Sequence, residues 1–283
     1  MNKTVIIAEV GECWNGELET ARKLINAAAH AGCDYVKFQT LDSEGIRDSD
    51  PEAKWFRKVA LTPGLMHVFR TWADLYKIKL LFTPENVRTA EWVADMRLPE
   101  VKVASSSIVD YELLEFVKDN FDTIFLSTGM ASAEEVSAAV GFLSSSTYLY
   151  LMHCISEYPT GPLLEKRGLK ALNEADVNLN MMKVLASKYL CKVGYSDHTA
   201  GILAPVSAVA MGAEVIEKHI CWDRRDGLAF HDGTDYVLSA EPWELKEMVD
   251  QIRRVEKMKG SGNWQRTGGE LLLKDFLRGR FDG

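Results

Sequence analysis

No apolar stretch in this 283-residue chain approaches the roughly 20 residues that a bilayer-spanning helix needs. The apolar run in the opening MNKTVIIAEVGECWNG is also too short for the core of a secretory signal, so the expected location is the cytoplasm. Dense runs of lysine and arginine are lacking as well. The 33 basic residues are outnumbered by 41 acidic ones for a net charge of -8, which argues against a surface built to track a nucleic-acid backbone or an anionic membrane. Cysteine pairs at CxxC spacing are missing: Cys13, Cys33, Cys154, Cys191 and Cys221 are scattered, and the odd count of five argues against a disulfide framework. All five are read as free thiols acting as small buried core residues, since none carries a recognisable His/Asn arrangement of a thiol nucleophile. A GxGxxG after the first strand is absent too, which removes the usual phosphate fingerprint of a doubly wound open sheet.

What is present is an alternation. The composition, 47% hydrophobic and 26% charged, is that of a soluble globular chain long enough for a large core. Short β-branched or aromatic runs (TVIIAEV, YVKFQT, KLLFTPE, EVKVASS, DTIFLST, TYLYLMHC, KVGYSDH and EVIEKHI) alternate with segments whose apolar residues recur every three or four positions. Eight such runs in this order predict a (β/α)8 TIM barrel, a parallel sheet closed on itself and sheathed by helices. The barrel is expected over residues 1–262, and 263–283 is read as a tail with too little apolar content for a second domain. Two connections, 41–62 and 155–175, are longer and richer in charge and turn formers. Both follow a strand and so belong to the catalytic face, where long loops commonly act as lids.

In a barrel the carboxyl ends of the strands converge, so polar residues there share one site. These are Glu9; Lys37 and Gln39; Thr83; Lys102 and Ser105; Ser127; His153, Ser156 and Tyr158; Ser196, Asp197 and His198; and Glu217, Lys218 and His219. Alternation along a strand puts Lys37 with Gln39 on one face, as it does Ser196 with His198 and Glu217 with His219. Two imidazoles on neighbouring strand ends either hold a divalent metal with open positions for water or substrate, or are histidines satisfied by carboxylates. Lys37 and Lys102 with the surrounding hydroxyls suit a phosphate or carboxylate, unless a lysine simply pairs with Glu9 or Glu217. Glu9 is a candidate acid, base or water-orienting group, or else a salt-bridge partner. His153 is expected to be a hydrogen-bonded core residue, and His30 to end a helix where the dipole favours a cation.

At these residues the chain resembles the sialic acid synthase (N-acetylneuraminate synthase) family, from about residue 4 to 260. The resemblance is carried by IIAEVGECWNGELETARKLINAAAHAGCDYVKFQT, VKVASSSIVDYELLEFV, FLSTGMASAEEV, LMHCISEYPT, VGYSDHTAGI, GAEVIEKHI and GTDYVLSAEPWELKEMVDQIRRVEK in that order. It implies condensation of phosphoenolpyruvate with an N-acylated hexosamine aldose, such as N-acetylmannosamine. The product would be a nine-carbon 2-keto acid, with phosphate released and a divalent metal, manganese or magnesium, required. Carried over by position, it implies that His198 and His219 ligate the metal. Lys37, Thr83, Lys102, Ser105, Ser127, Ser156 and Ser196 would hold phosphoenolpyruvate. Glu9, Glu217 and Lys37 would serve the chemistry, and Gln39, Tyr158 and Asp235 would face the sugar.

The chain departs from the family in three places. Cys13 and Trp14 stand where NHNG is common, Ser107 stands where GSGE carries a carboxylate, and the C-terminal antifreeze-like domain of full-length members has no counterpart in these residues. The resemblance also implies a homodimer, with a separate antifreeze-like domain protein as a possible partner. Three readings follow: a sialic acid-like synthase, a related barrel enzyme using another aldose, or a catalytically silent metal- and anion-binding scaffold. A near-complete set of charged and hydroxyl residues, expensive to bury without a ligand, favours an enzyme.

Overall fold

The computed structural model describes residues 3–50, 53–143, 148–157, 172, 174–226 and 234–280. The strands are β1 (Val5–Glu9), β2 (Tyr35–Thr40), β3 (Lys79–Pro84), β4 (Glu100–Val103), β5 (Thr123–Ser127), β6 (Tyr148–Cys154), β7 (Lys192–Asp197) and β8 (Val215–His219). Each falls within one of the eight alternating runs. The helices between them are α1 (Leu18–Ala31), α2 (Ala53–Val59), α3 (Pro63–Tyr76), α4 (Val87–Asp95), α5 (Tyr111–Asn120), α6 (Ala133–Leu143), α7 (Met181–Tyr189) and α8 (Leu203–Ala210). Following β8 come α9 (Thr234–Leu238), α10 (Pro242–Lys259) and α11 (Gly268–Arg278).

Local chemistry accounts for the helix boundaries. In α3, Pro63 occupies the first turn, where its missing N–H costs nothing, and the Thr62 hydroxyl caps the amide of Leu65 at 3.3 Å. Met66, Phe69 and Ala73 then recur on the buried face. Asn86 and Thr89 form a reciprocal capping box at the start of α4. Helix α1 ends at Gly32, whose φ of 92° supplies the left-handed turn into β2.

All strand pairings are parallel, in the order β3-β2-β1-β8-β7-β6-β5-β4, and β3 lies against β4 to complete the circuit of a (β/α)8 barrel. The two-residue period divides every strand. Ile6, Ala8, Val36, Phe38, Val101, Ile124, Leu126, Leu151, Val193 and Ile216 face outward into a layer shared with the helices. Ile7, Tyr35, Leu81, Phe125, Met152 and Val215 face inward and fill the barrel. Below them Glu100 accepts hydrogen bonds from the Tyr35 hydroxyl at 2.7 Å and from Lys79 at 3.0 Å, so that end of the barrel is tied by polar groups.

Gly194 on β7 is the one inward position with no side chain in the filled layer, and its neighbours explain why. A Cβ there would stand 2.3 Å from Met152 Sδ and 2.7 Å from the Val215 carbonyl oxygen. Gly194→Ala is therefore expected to destabilise the barrel by about 1–3 kcal/mol or more through overpacking, read as a lower urea midpoint at unchanged slope. A midpoint equal to wild type would show that the interior yields at this level.

Two segments differ from the sequence reading. The 41–62 connection is not wholly a loop, since it contains α2, whose Trp55 indole hydrogen-bonds Glu12 in the turn after β1. The tail contains α11, a capped amphipathic helix whose Leu271, Leu272, Leu273, Phe276 and Leu277 are exposed. Most of the 155–175 connection, including Tyr158, lies outside the described residues. Among the described residues no helix is long and apolar enough to cross a membrane.

Candidate active site

Continuing each inward row past the filled layer leads to the carboxyl ends of the strands. Ile7 is followed by Glu9, Tyr35 by Lys37 and Gln39, Leu81 by Thr83, Phe125 by Ser127, Met152 by Cys154, and Val215 by Glu217 and His219. Parallel register sets these rows side by side: Glu9 pairs with Lys37 on one flank and with His219 on the other, and Ser196 pairs with Glu217. Polar groups far apart in sequence thus meet above a dry interior.

Lys37 lies at the centre of one network. Its ammonium is 3.1 Å from Glu9 Oε2, 3.4 Å from Glu217 Oε1 and 2.8 Å from Thr83 Oγ1. Gln39 donates to Glu9 at 3.3 Å, and Ser196 donates to Glu217 at 3.0 Å. Both carboxylates are almost fully buried, yet their protonation is pushed in opposite directions. Burial raises the Glu9 carboxyl well above the usual range, with Lys37 acting against this and the Glu217 charge reinforcing it. Burial also opposes charge on Glu217, but Lys102, Lys37 and His219 outweigh it and hold this group below the usual range. One carboxyl is suited to carry a proton and the other to remain an anion.

Lys102 is different. It is 2% exposed, and its ammonium donates to the Val103 carbonyl at 2.9 Å, but among the described residues it forms no ion pair. Burial accordingly lowers its pKa. Ser105 lies just past the same strand with its hydroxyl 2.8 Å from that of Ser156, and on the neighbouring β5 the buried Ser127 hydroxyl makes no hydrogen bond among the described residues. A buried cation held by no close ion pair, with an unsatisfied hydroxyl on the next strand, is costly to keep and suits an anion.

The two histidines come together as their spacing suggested, with ring centroids 5.4 Å apart. His198 Nδ1 donates to the Ile155 carbonyl at 2.7 Å, which fixes the orientation of the ring. Burial opposes charge on this ring, but the Cys154 thiol 3.6 Å away, the Ile155 carbonyl and Asp197 raise its pKa to about 9. A cation bound there must displace that proton. His219 is kept neutral by burial and by His198, and its Nδ1 lies 3.6 Å from Asp235 Oδ2 without a hydrogen bond among the described residues. Paired imidazole donors with carboxylates close by fit a divalent transition metal that takes its remaining ligands from water or substrate. No cluster of three or more His, Cys, Asp or Glu side chains in metal-binding geometry occurs among the described residues.

Gly11 makes room for this corner. At φ 50°, its Cβ would stand 3.0 Å from Asp235 Oδ2, 3.4 Å from Glu9 Oε1 and 3.5 Å from His219 Cε1.

The structure therefore gathers Glu9, Lys37, Gln39, Thr83, Lys102, Ser105, Ser127, Ser156, Ser196, His198, Glu217, His219 and Asp235 in one mouth. His153 is buried with its Nε2 2.8 Å from the Val177 carbonyl, the core role expected of it. Asp197 and Lys218, although at strand ends, have the outward parity and form a fully buried pair at 2.6 Å. Cys154 corrects the reading of all cysteines as simple core residues. It has inward parity, and although burial raises its thiol pKa, His198 and Lys102 outweigh that and lower it. Cys13 and Trp14 do not line the mouth: Cys13 faces Ser239 at 3.6 Å, and Trp14 packs edge-on against Phe69 with centroids 5.5 Å apart. Sequence reasoning missed Glu85, one residue beyond β3. The signal was its parity with Leu81 and Thr83.

A parallel (β/α)8 barrel with lysines, carboxyls, hydroxyls and a histidine pair gathered at its mouth carries its polar residues on the face where such barrels place their active sites. Comparison with known proteins gives the family. A profile of the NeuB family matches residues 24–264, and the chain belongs to that family. It is 38% identical to an uncharacterized protein of Methanocaldococcus jannaschii, over 92% of this chain and 73% of the relative. It is 31% identical to the N,N'-diacetyllegionaminic acid synthase of Legionella pneumophila, over 96% of this chain and 78% of that enzyme. Among solved structures, the N-acetylneuraminic acid (sialic acid) synthetase of Leptospira borgpetersenii, in complex with citrate, superposes with a TM-score of 0.86 at 32% identity. That match covers 99% of this chain and 93% of the synthetase.

Proposed function

We propose that this chain condenses phosphoenolpyruvate with an N-acylated hexosamine aldose, N-acetylmannosamine or a relative, giving a nine-carbon 2-keto sugar acid and phosphate. The carrying observation is Lys102, a buried ammonium that forms no ion pair among the described residues, on the strand next to the Ser127 hydroxyl, which makes no hydrogen bond among them. Phosphoenolpyruvate supplies the missing charge, and Thr83, Ser105, Ser156 and Ser196 supply further hydroxyls. Relatives named as synthases of legionaminic and sialic acids support the same reading.

The residues of the mouth divide the work. Lys102 and Lys37 neutralise the phosphoenolpyruvate anion and orient it, so that the encounter with the aldose becomes intramolecular. Glu217 stays ionised and holds Lys37 and Ser196 in place. Glu9, whose carboxyl exchanges a proton more readily near neutral pH, takes the proton of the water that adds to C2. Gln39 and Asp235 face the aldose hydroxyls. Tyr158, outside the described residues, keeps the same assignment. His198 and His219 would hold a divalent cation, manganese or magnesium, which when bound polarises the aldehyde oxygen and supplies positive charge where negative charge develops.

Phosphate release from phosphoenolpyruvate, measured against a panel of N-acylated aldoses with manganese and with EDTA, tests this reading. Release that depends on the sugar and disappears with the chelator is expected. No release with any aldose in the presence of either metal would overturn the synthase reading.

A further inference from the structure

Glu85 is a carboxyl that the roles above leave unused. It directly follows β3, and its parity continues the inward row Leu81–Thr83, whose last member binds the Lys37 ammonium. The chain is still extended at Asn86, and the Glu85 amide is anchored to the Thr89 hydroxyl at 3.1 Å, so the residue is held at the rim above Thr83. It is half-buried. The charged groups that act on its carboxyl are Lys37 from β2 and Lys102 from β4, the strands on either side of it. Even so, its carboxyl makes no hydrogen bond or ion pair among the described residues, so it lies near both cations without neutralising either. Burial, opposed by those two lysines, raises its pKa.

The other carboxyls of the mouth are committed elsewhere. Glu9 and Glu217 are bound to Lys37, Gln39 and Ser196, and Asp235 lies beside His219. Just past the carboxyl end of β4 the chain supplies the hydroxyls of Ser105 and Ser107. An anion on Lys102 and Lys37 would add negative charge close to Glu85 and favour its neutral, proton-bearing form.

We propose that Glu85 is the acid that protonates the phosphate as it departs, an assignment that rests on the synthase reading above. After C3 of the enol has joined the aldehyde carbon and water has added to C2, that carbon carries a hydroxyl and the phosphate ester oxygen. Glu85 passes its proton to the ester oxygen as the C2–O bond breaks, and the bonding pair leaves with phosphate. An oxygen pair of the C2 hydroxyl forms the new carbonyl, and the hydroxyl proton returns to the Glu85 carboxylate.

Glu85→Gln keeps the shape and removes the proton, and Glu85→Ala removes the group, so steady-state phosphate release by both variants tests the assignment. The expected result is a kcat lower by about 100-fold or more in both, in the range of general acid catalysis, with the KM for phosphoenolpyruvate unchanged because the neutral acid carries no charge toward the anion. Calorimetric binding of phosphoenolpyruvate to Glu85→Gln, as tight as to wild type, shows that the site is intact. A kcat within about threefold of wild type, or a loss confined to KM, would overturn the assignment and leave the synthase reading standing. A wild-type protein that releases no phosphate with any aldose overturns the synthase reading itself, and the role of Glu85 with it.

Discussion

A His198→Ala protein is expected to lose metal-dependent turnover while keeping its fold. The ring is placed by the Ile155 carbonyl at 2.7 Å and faces His219 across 5.4 Å, so removing it takes away half of the imidazole set. Replacing only an outer partner of a metal ligand typically costs about 10–100-fold, and loss of a ligand should exceed that range. The residue directly follows β7 and is 7% exposed, so the urea midpoint should fall modestly while unfolding stays cooperative. Two readouts decide the matter: phosphate release with manganese, and manganese binding by calorimetry in the absence of substrate. Full activity in His198→Ala, or unchanged manganese affinity, would remove the histidine pair from the mechanism. His219→Ala should behave alike in binding and in stability, since its side chain is buried to a similar degree.

Lys218→Met is expected to be the most destabilising single change near the site, although Lys218 touches no part of the mouth. Its ammonium and the Asp197 carboxylate are fully buried at 2.6 Å, and it also donates to the Thr199 carbonyl at 2.6 Å. Asp197 in turn accepts from the Tyr195 hydroxyl at 2.9 Å and from the Thr199 amide and hydroxyl at 3.0 and 2.8 Å. This arrangement closes the turn whose middle residue is His198. Removing the lysine strands a buried carboxylate at a cost of about 3–5 kcal/mol, measurable by urea denaturation. Asp197→Asn in the same background removes the charge while keeping an acceptor for Thr199, so it should recover part of the loss. A loss under about 1 kcal/mol in Lys218→Met would mean that water or another group solvates Asp197 once the lysine is gone.

The fold was legible because its signals are local. Runs of alternating parity fell on all eight strands, and the 63–76 pattern coincides with α3 because Thr62, Pro63 and a three-to-four apolar spacing all act within a few turns. The elements that were not read as helices are α2, α7, α9 and α11, which lie in the 41–62 connection, beyond the 155–175 connection, after β8 and in the tail. Helix α7 buries only Met182 and Leu185, so its periodic signal is faint. Helix α11 buries no residue, and its cap, not a core, defines it.

Which residues gather at the mouth was legible, Glu85 and Cys154 excepted, but their pairings were less so. Parity in the sequence already separated Ser196 and His198 from Asp197, and Glu217 and His219 from Lys218. It could not say which lysine would find a counter-ion. That choice depends on barrel register, which sets Glu9 beside Lys37 and brings Glu217 within 3.4 Å of it, while among the described residues no carboxylate comes that close to Lys102. The same register turns Cys154 from a presumed core thiol into a neighbour of His198, and carries Glu85 between two lysines.

By itself, then, the sequence determined the number and order of the elements, the inward and outward sets along each strand, and the residue types available at the strand ends. Propensity, capping and pleat are properties of a few consecutive residues. The tertiary structure alone decided which charges neutralise one another, which donors are left for a ligand, and which carboxyl is pushed toward protonation. Those outcomes come from distances of a few ångströms between distant segments inside a low-dielectric interior, where a small change in separation or burial reverses which form of a group is favoured.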